Sequence, residues 1–183
     1  MFLIVVLALL LASCATKPQP VNTTPQPAAV PHIPDSVGAV VRIQTHTYPD
    51  PRLGALHRYR DGDFRPDVYV YSKTGWGDPQ SQARLFMPTL DVYQQRGEYD
   101  SYHVVLTRSI NLDIGGRVLT GHETVLKLNK GDTVRDSYFA VVSLPTDEYV
   151  KFRITRPADD NSVVKARDFV NAWIGRYIGP SRN

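Results

Sequence analysis

The sequence contains almost no cysteine: Cys14 is the only one among 183 residues. A single cysteine excludes a framework of internal disulfides and a zinc site built from several thiolates. The most apolar stretch, residues 1–13, is also shorter than the run of about 20 residues that crosses a membrane as a helix. The chain therefore depends on its own hydrophobic core.

Motifs of the common catalytic classes are absent as well. No Gly-x-Ser-x-Gly motif occurs, and no glycine-rich phosphate loop precedes a helix. His122 and Glu123 begin like a zinc-protease motif, but Leu126 stands where the second histidine belongs, and the segment has the pattern of a strand. We therefore predict no metal, no cofactor and no enzymatic activity. An enzyme would need His46, His57 or His103 to meet a carboxylate in a cleft.

The first residues have the character of an export signal. Residues 1–13 are uncharged and mostly apolar, and they end in small residues before Cys14. No Lys or Arg precedes the apolar core, so we expect either a translation start further upstream or a weakly charged signal. The alternative is a buried N-terminal element that carries a free cysteine.

The four residues Leu11-Ala12-Ser13-Cys14 resemble the lipobox of bacterial lipoproteins. The resemblance implies cleavage before Cys14 and a lipid on its thiol. Ala15 follows, whereas Asp at that place marks inner-membrane retention in enterobacterial families. The resemblance thus implies a lipid anchor in the outer membrane and a domain on its periplasmic face.

Residues 14–35 form a proline-rich segment, with six of the 14 prolines between positions 18 and 34. Such composition favours an extended spacer without a core, rising about 3.1 Å per residue. The remaining residues, 36–183, are enough for one ordinary domain.

Alternation of apolar and polar residues dominates this domain. It predicts strands at 37–46 and 67–73, then four successive strands between Tyr99 and Thr155 that form an antiparallel meander. A loop is expected after the first strand, and 75–97 has no clear pattern apart from a candidate short strand at 85–87. Apolar spacing at 162–178 changes to that of an amphipathic helix. We predict a mainly β fold, an antiparallel sandwich or sheet of about six to eight strands with this C-terminal helix. The helix either packs on the sheet or waits for a partner.

Charge is modest, with a formal net charge of +3, and 15 of the 21 basic residues are arginine. No nucleic-acid-binding motif or dense basic helix is present, so nucleic acid is not predicted as a partner. Arginine and aromatic residues do concentrate in one segment with little core pattern, as is typical of protein interfaces. The predicted interface set comprises Arg52, His57, Arg58, Tyr59, Arg60, Phe64 and Arg65. The alternative is a loop packed over the sheet edge.

The order of lipobox, proline-rich spacer and β domain resembles the small outer-membrane lipoproteins of secretion systems, including the transthyretin-like lipoprotein of type VI secretion. The resemblance implies a non-enzymatic docking or assembly component of an envelope complex. The alternative is a periplasmic module that binds a lipid, a glycan or peptidoglycan through aromatic side chains. That alternative requires Tyr69, Tyr71, Trp76 and Tyr102 to converge on a concave face.

Overall fold

The computed structural model describes residues 32–179. The predicted signal, Cys14 and most of the spacer lie outside the described residues. A 3₁₀ turn, Pro51–Leu53, accompanies two helices and eight strands: β1 (Ser36–Val37), β2 (Val40–Thr47), β3 (Ala55–Arg60), β4 (Arg65–Ser72), α1 (Pro79–Gln95), β5 (Ser101–Ile114), β6 (Arg117–Lys130), β7 (Thr133–Ser143), β8 (Glu148–Pro157) and α2 (Ser162–Ile178).

All eight strands belong to one antiparallel sheet in the order β1-β2-β3-β4-β8-β7-β6-β5. The predicted mainly β fold with a C-terminal helix is confirmed, and of the two architectures left open the chain adopts the single sheet. The meander from β5 to β8 is present as predicted. Its last strand, β8, pairs with β4 and so joins the meander to the N-terminal strands.

The central strands bury side chains on both faces. In β7, Tyr138, Ala140 and Val142 face α2, while Phe139 and Val141 face α1. Because neighbouring residues of a strand point to opposite faces, both faces of this strand need an apolar cover. The result is three layers, with one helix on each side of the sheet.

Helix α2 begins and ends within the predicted range 162–178. Its side chains Phe169 and Trp173 are buried in the larger core, so the helix packs on the sheet rather than standing free. The indole Nε1 of Trp173 donates a hydrogen bond to the Tyr59 hydroxyl at 2.8 Å, and that hydroxyl donates to the backbone oxygen of Pro34 at 2.7 Å.

Helix α1 was not predicted, and the short strand expected at 85–87 is wrong because these residues are helical. The helix begins as helices usually do: the Asp78 side chain accepts the Ser81 amide at 2.7 Å, and Pro79 occupies the first turn. Its interior, however, contains Pro88, which cannot donate a backbone hydrogen bond and lowers helix propensity. Burial against the sheet outweighs that local cost.

The segment 55–60 is also a correction, since it forms strand β3 rather than a loop. Its inward side chains include His57 and Tyr59, whereas Arg58 and Arg60 point to solvent. The alternation of inward and outward residues is hard to recognise in the sequence, because the inward residues His57 and Tyr59 are not aliphatic and the outward residues are arginines.

A buried carboxylate joins α2 to the sheet. Glu123 on β6 is 1% exposed, and it accepts hydrogen bonds from Arg167 of α2 at 2.7 Å and 3.0 Å. The Arg108 guanidinium and the Tyr138 hydroxyl also donate to it, at 2.7 Å and 2.8 Å. Burial alone raises the pKa of Glu123, but the hydrogen bonds from Arg167, Tyr138 and Arg108 more than offset burial, so its pKa lies below the ordinary value.

Replacing this carboxylate by an amide, Glu123→Gln, is expected to lower the free energy of unfolding by about 2 kcal/mol at pH 7, because charge-assisted hydrogen bonds are lost. Since the pKa is lower in the folded state, the stabilisation is present above the ordinary value of 4.5 and is lost as pH falls through the folded-state pKa. Urea unfolding of both proteins at pH 7 and at pH 3 measures the difference.

Asp132→Asn, at an exposed turn position, is the matched control and should leave stability unchanged. A Glu123→Gln protein as stable as the wild type at pH 7 would contradict the prediction.

Candidate functional site

Helix α1 covers only part of its face of the sheet. It packs mainly on β6 and β7, with a smaller contact to β5. A helix about 10 Å wide spans roughly two strands spaced about 4.8 Å apart, so β4 and β8 stay partly uncovered. A cavity of about 370 Å³ remains there, which we call the aromatic groove. It is lined by Tyr48, Leu53, Tyr69, Tyr71, Trp76, Gln82, Leu85, Phe86, Thr89, Tyr93, Phe139, Lys151 and Arg153.

The pairing of β4 with β8 positions the side chains that form the floor of the groove. Tyr69 of β4 lies opposite Lys151 of β8, and Arg153 lies opposite Asp67. The intervening residues Val68 and Phe152 point to the α2 face and are fully buried. One set of alternate positions therefore builds the core, and the other set builds the groove.

The wall opposite α1 depends on a close backbone approach at Gly54. This residue follows the 3₁₀ turn with a φ of 60°, and a Cβ atom there would lie 1.9 Å from the backbone oxygen of Val70. Only glycine tolerates both conditions. The approach holds Leu53 at the rim of the groove.

Two cations lie in the groove, and neither forms a salt bridge with a carboxylate of the described residues. The Lys151 Nζ is 4.2 Å from the centroid of the Tyr69 ring and 5.8 Å from that of Tyr71. The Arg153 guanidinium lies 4.7 Å from the Tyr93 ring centroid and donates to its hydroxyl at 3.2 Å. Among the described residues no carboxylate oxygen lies within 4.0 Å of either cation, and none of the lining residues is Asp or Glu.

Burial acts on the polar groups of the groove. It lowers the pKa of Lys151, assisted by the charge of Arg153, and it raises the pKa of Tyr69 to about 12. The Tyr69 phenol is therefore neutral at neutral pH and able to donate a hydrogen bond. Two further buried donors, Trp76 Nε1 and Gln82 Nε2, have no hydrogen-bond partner among residues 32–179. The groove thus offers more donors and positive charge than acceptors.

Three of the four aromatic residues required for a concave ligand face meet here, namely Tyr69, Tyr71 and Trp76. Tyr102 does not join them, because it packs beside Tyr99 and donates to Asp91 at 2.8 Å. The sequence reasoning missed both cations. They occupy the polar positions of an alternating strand, where charged residues usually face water.

The predicted interface set does not form one surface. His57 and Tyr59 are buried on the α2 face, and Phe64 is half-buried with its ring 5.7 Å from that of Phe169. The four arginines, Arg52, Arg58, Arg60 and Arg65, are exposed. Alternation along β3 separates the set, since neighbouring residues point to opposite faces.

None of the three histidines considered for acid–base chemistry, His46, His57 and His103, forms an ion pair with a carboxylate within residues 32–179. His57 Nδ1 lies 3.0 Å from Thr45 Oγ1, and burial together with the charge of Arg42 lowers its pKa to about 4. His46 contacts the ring of Tyr48. His122 Nε2 lies 2.9 Å from Thr107 Oγ1 on the sheet face opposite to Glu123.

Residues 32–179 contain no group of three or more His, Cys, Asp or Glu arranged to hold a metal ion. Over the same residues, neither helix combines the length and apolar character needed to cross a bilayer.

Comparison with known proteins gives no family. No family model matches the sequence, and no curated protein matches it. Among solved structures, cyanobacterial PsbP (CyanoP) from Synechocystis sp. PCC 6803 has a TM-score of 0.49 at 16% identity, over 74% of this chain and 79% of that one. The Ran-binding protein Mog1p of Saccharomyces cerevisiae has a TM-score of 0.38 at 12% identity, over 77% and 88%. A mutant of protein Mog1 has 0.36 at 14%, over 76% and 85%. Similarities this low carry no inference for this chain.

Proposed function

We propose that this protein is a non-enzymatic binding module for an acidic sugar ring, which lies in the aromatic groove. The observation that carries the proposal is a pair of cations, Lys151 and Arg153, inside an aromatic cavity whose lining contains no acidic residue. Asp67 attracts Arg153 from outside the groove, so inside it both cations lack an ion-pair partner that an anionic ligand would supply. This function is one form of the alternative expected from the sequence, a module that binds a lipid, a glycan or peptidoglycan, and the ligand we propose is a glycan.

Aromatic faces favour a ring ligand. Tyr69, Tyr71 and Trp76 offer planar apolar surfaces with polar tips, which suit a ligand that is apolar on its faces and hydroxylated at its edges. An acyl chain fits less well, because it would cover Lys151 and the unpaired Trp76 and Gln82 donors without giving them an acceptor.

The charges favour an acid rather than a neutral sugar. The fork of Arg153 matches a carboxylate in two parallel hydrogen bonds, and Lys151 adds a point charge two residues away on the same face. When the ligand displaces water from Lys151, the ion pair with its carboxylate offsets the free-energy cost of that desolvation.

A matched pair of ligands tests the proposal. 4-Nitrophenyl β-D-glucuronide and 4-nitrophenyl β-D-glucoside differ in a carboxylate, and the wild type is expected to bind the glucuronide about tenfold more tightly, the effect of one charge-assisted contact. Lys151→Met keeps the length of the side chain and should reduce that preference measurably, because Arg153 alone then pairs with the carboxylate. Isothermal titration calorimetry measures both affinities.

Lys165→Met, on α2 at the opposite face, is the charge-matched control and should keep the preference. Trp76 gives a second readout, since ligand should quench its fluorescence while Trp173, fully buried in the core, acts as an internal reference. No binding of either sugar, or equal binding of both by the wild type, would refute the proposal.

The lipid anchor at Cys14 belongs to the same proposal and comes from the lipobox resemblance. Radiolabelled palmitate is expected to label the wild type and not Cys14→Ser, and the label should fractionate with outer membranes on a sucrose gradient. Equal labelling of both proteins would contradict the anchor.

Docking to an envelope complex is the second candidate function. The observation that favours it is the outward position of Arg58 and Arg60 on β3, which leaves two guanidinium groups of the interface set facing solvent. A pull-down from solubilised envelope with the tagged wild type beside Arg58→Ala/Arg60→Ala should recover a defined complex with the wild type alone. Recovery of nothing with either protein would count against docking.

A further inference from the structure

A second cavity, of about 460 Å³, adjoins the aromatic groove and shares Arg153 with it. We call it the arginine cavity. Arg65 of β4 and Arg135 of β7 line it with Arg153, and Lys130 adds a fourth basic residue. Asp67 and Glu98 are the acidic residues in its lining.

Most of the basic groups keep free donors. Arg65 and Arg135 have no side-chain hydrogen bond or ion pair with any described residue, and Arg153 donates only to the Tyr93 hydroxyl. Lys130 donates to the Gly97 backbone oxygen at 2.7 Å. Among the described residues Asp67 forms a salt bridge with Arg58, at 3.7 Å, and it lies opposite Arg153 in the strand pairing. Three guanidinium groups therefore line one cavity with their hydrogen-bonding capacity largely unused.

Register puts the two cavities in line along one strand. On β4 and β8, Tyr69 pairs with Lys151, Asp67 with Arg153, and Arg65 with Thr155. These pairs are successive positions on the same face, so the distance from Lys151 to Thr155 along β8 is about 13 Å. A ligand longer than a single sugar is needed to reach both ends.

We infer that the arginine cavity binds a phosphate group of the same ligand, whose acidic ring lies in the aromatic groove. The ligand class is then a phosphorylated oligosaccharide, free or as a lipid headgroup. The inference rests on the proposed function and adds a second recognition site to it.

Phosphate suits this cavity better than a lone carboxylate does. Its oxygens accept hydrogen bonds in several directions at once, which matches guanidinium groups that come from three different strands. Asp67 and Glu98 give the site acceptors for sugar hydroxyls next to the phosphate. Burial raises the pKa of Asp67, and the neighbouring Arg58 and Arg153 act in the opposite direction.

The test compares maltose 1-phosphate with maltose by calorimetry. The wild type is expected to bind the phosphate form at least about tenfold more tightly. The double variant Arg65→Gln/Arg135→Gln leaves Arg153 and Lys130 in place, so it should lose most of the phosphate preference, while it keeps the glucuronide preference to which Lys151 contributes. Arg84→Gln/Arg117→Gln removes the same charge elsewhere on the surface and should behave as the wild type.

A vesicle arm distinguishes the two sources of the phosphate. Phosphatidylcholine vesicles with and without phosphatidylinositol, whose headgroup joins one hydroxylated ring to a phosphate and so tests the arginine cavity alone, are pelleted with each protein. Binding of the free sugar phosphate supports a soluble glycan. Binding only to the phosphatidylinositol vesicles, lost in Arg65→Gln/Arg135→Gln but not in the control, supports a lipid headgroup.

The remaining outcomes overturn the inference in distinguishable ways. A wild type that prefers the glucuronide but shows no phosphate preference in either arm refutes the arginine cavity and leaves the proposed function standing. Phosphate binding that falls equally in both double variants reduces the effect to general charge and also refutes the site. Failure of the glucuronide and phosphate probes together refutes both proposals.

Discussion

Strands β6, β7 and β8 bury side chains on both faces of the sheet, so each face needs a layer that excludes water from it. The chain meets this need with α1 on one side and α2 on the other. On the α2 side the cover is closed by aromatic packing around Trp173 and by the ion pair of Arg167 with Glu123. On the α1 side a single helix covers only the β5–β7 half, and the exposed remainder becomes the groove.

The incomplete cover also explains the composition of the groove. Residues there range from buried, as Tyr71 is, to half-buried, as Lys151 is, which is an environment that tolerates tyrosine and the stem of a lysine but leaves their polar ends in need of partners. Tyr69 and Tyr71 partly meet this need for Lys151 through their ring faces. The ring contacts hold the ammonium group in place without neutralising it. The site is consequently preorganised and still charged.

Sequence patterns predicted the parts of the fold whose periodicity is local. The meander and α2 follow from alternation and from helical spacing, and both are present as expected. Helix α1 was not predicted, because Pro88 and its few apolar residues weaken the helical periodicity. Its stability comes from contacts with distant strands. Strand β3 was not predicted, because Arg58 and Arg60 alternate with His57 and Tyr59 rather than with aliphatic residues.

The candidate site was predictable to a similar extent. Tyr69, Tyr71 and Trp76 were identified from their aromatic side chains as candidate ligand-binding residues. These three rings are close in the sequence, and they do meet in the structure. Lys151 and Arg153 lie some 80 residues further along the chain, and only the pairing of β4 with β8 brings them to those rings. No local pattern contains that pairing. The members of the interface set are separated in the structure because neighbouring residues of a strand point to opposite faces of the sheet.

The hydrogen bonds from Trp173 through Tyr59 to Pro34 bear on how the domain carries mechanical load. Strand β1 has only two residues, so it would peel readily from the sheet edge under tension. Pro34 is instead bonded to a hydroxyl inside the core, and Arg176 of α2 holds the Ser36 backbone oxygen at 2.6 Å. A force applied at residue 34 therefore acts on the packed α2 layer as well as on strand β2, whose Arg42 amide donates to the Asp35 backbone oxygen at 2.8 Å. The Pro34–Tyr59 hydrogen bond lies on the sheet face opposite to the groove, so a load on this segment is transmitted on the face away from the groove.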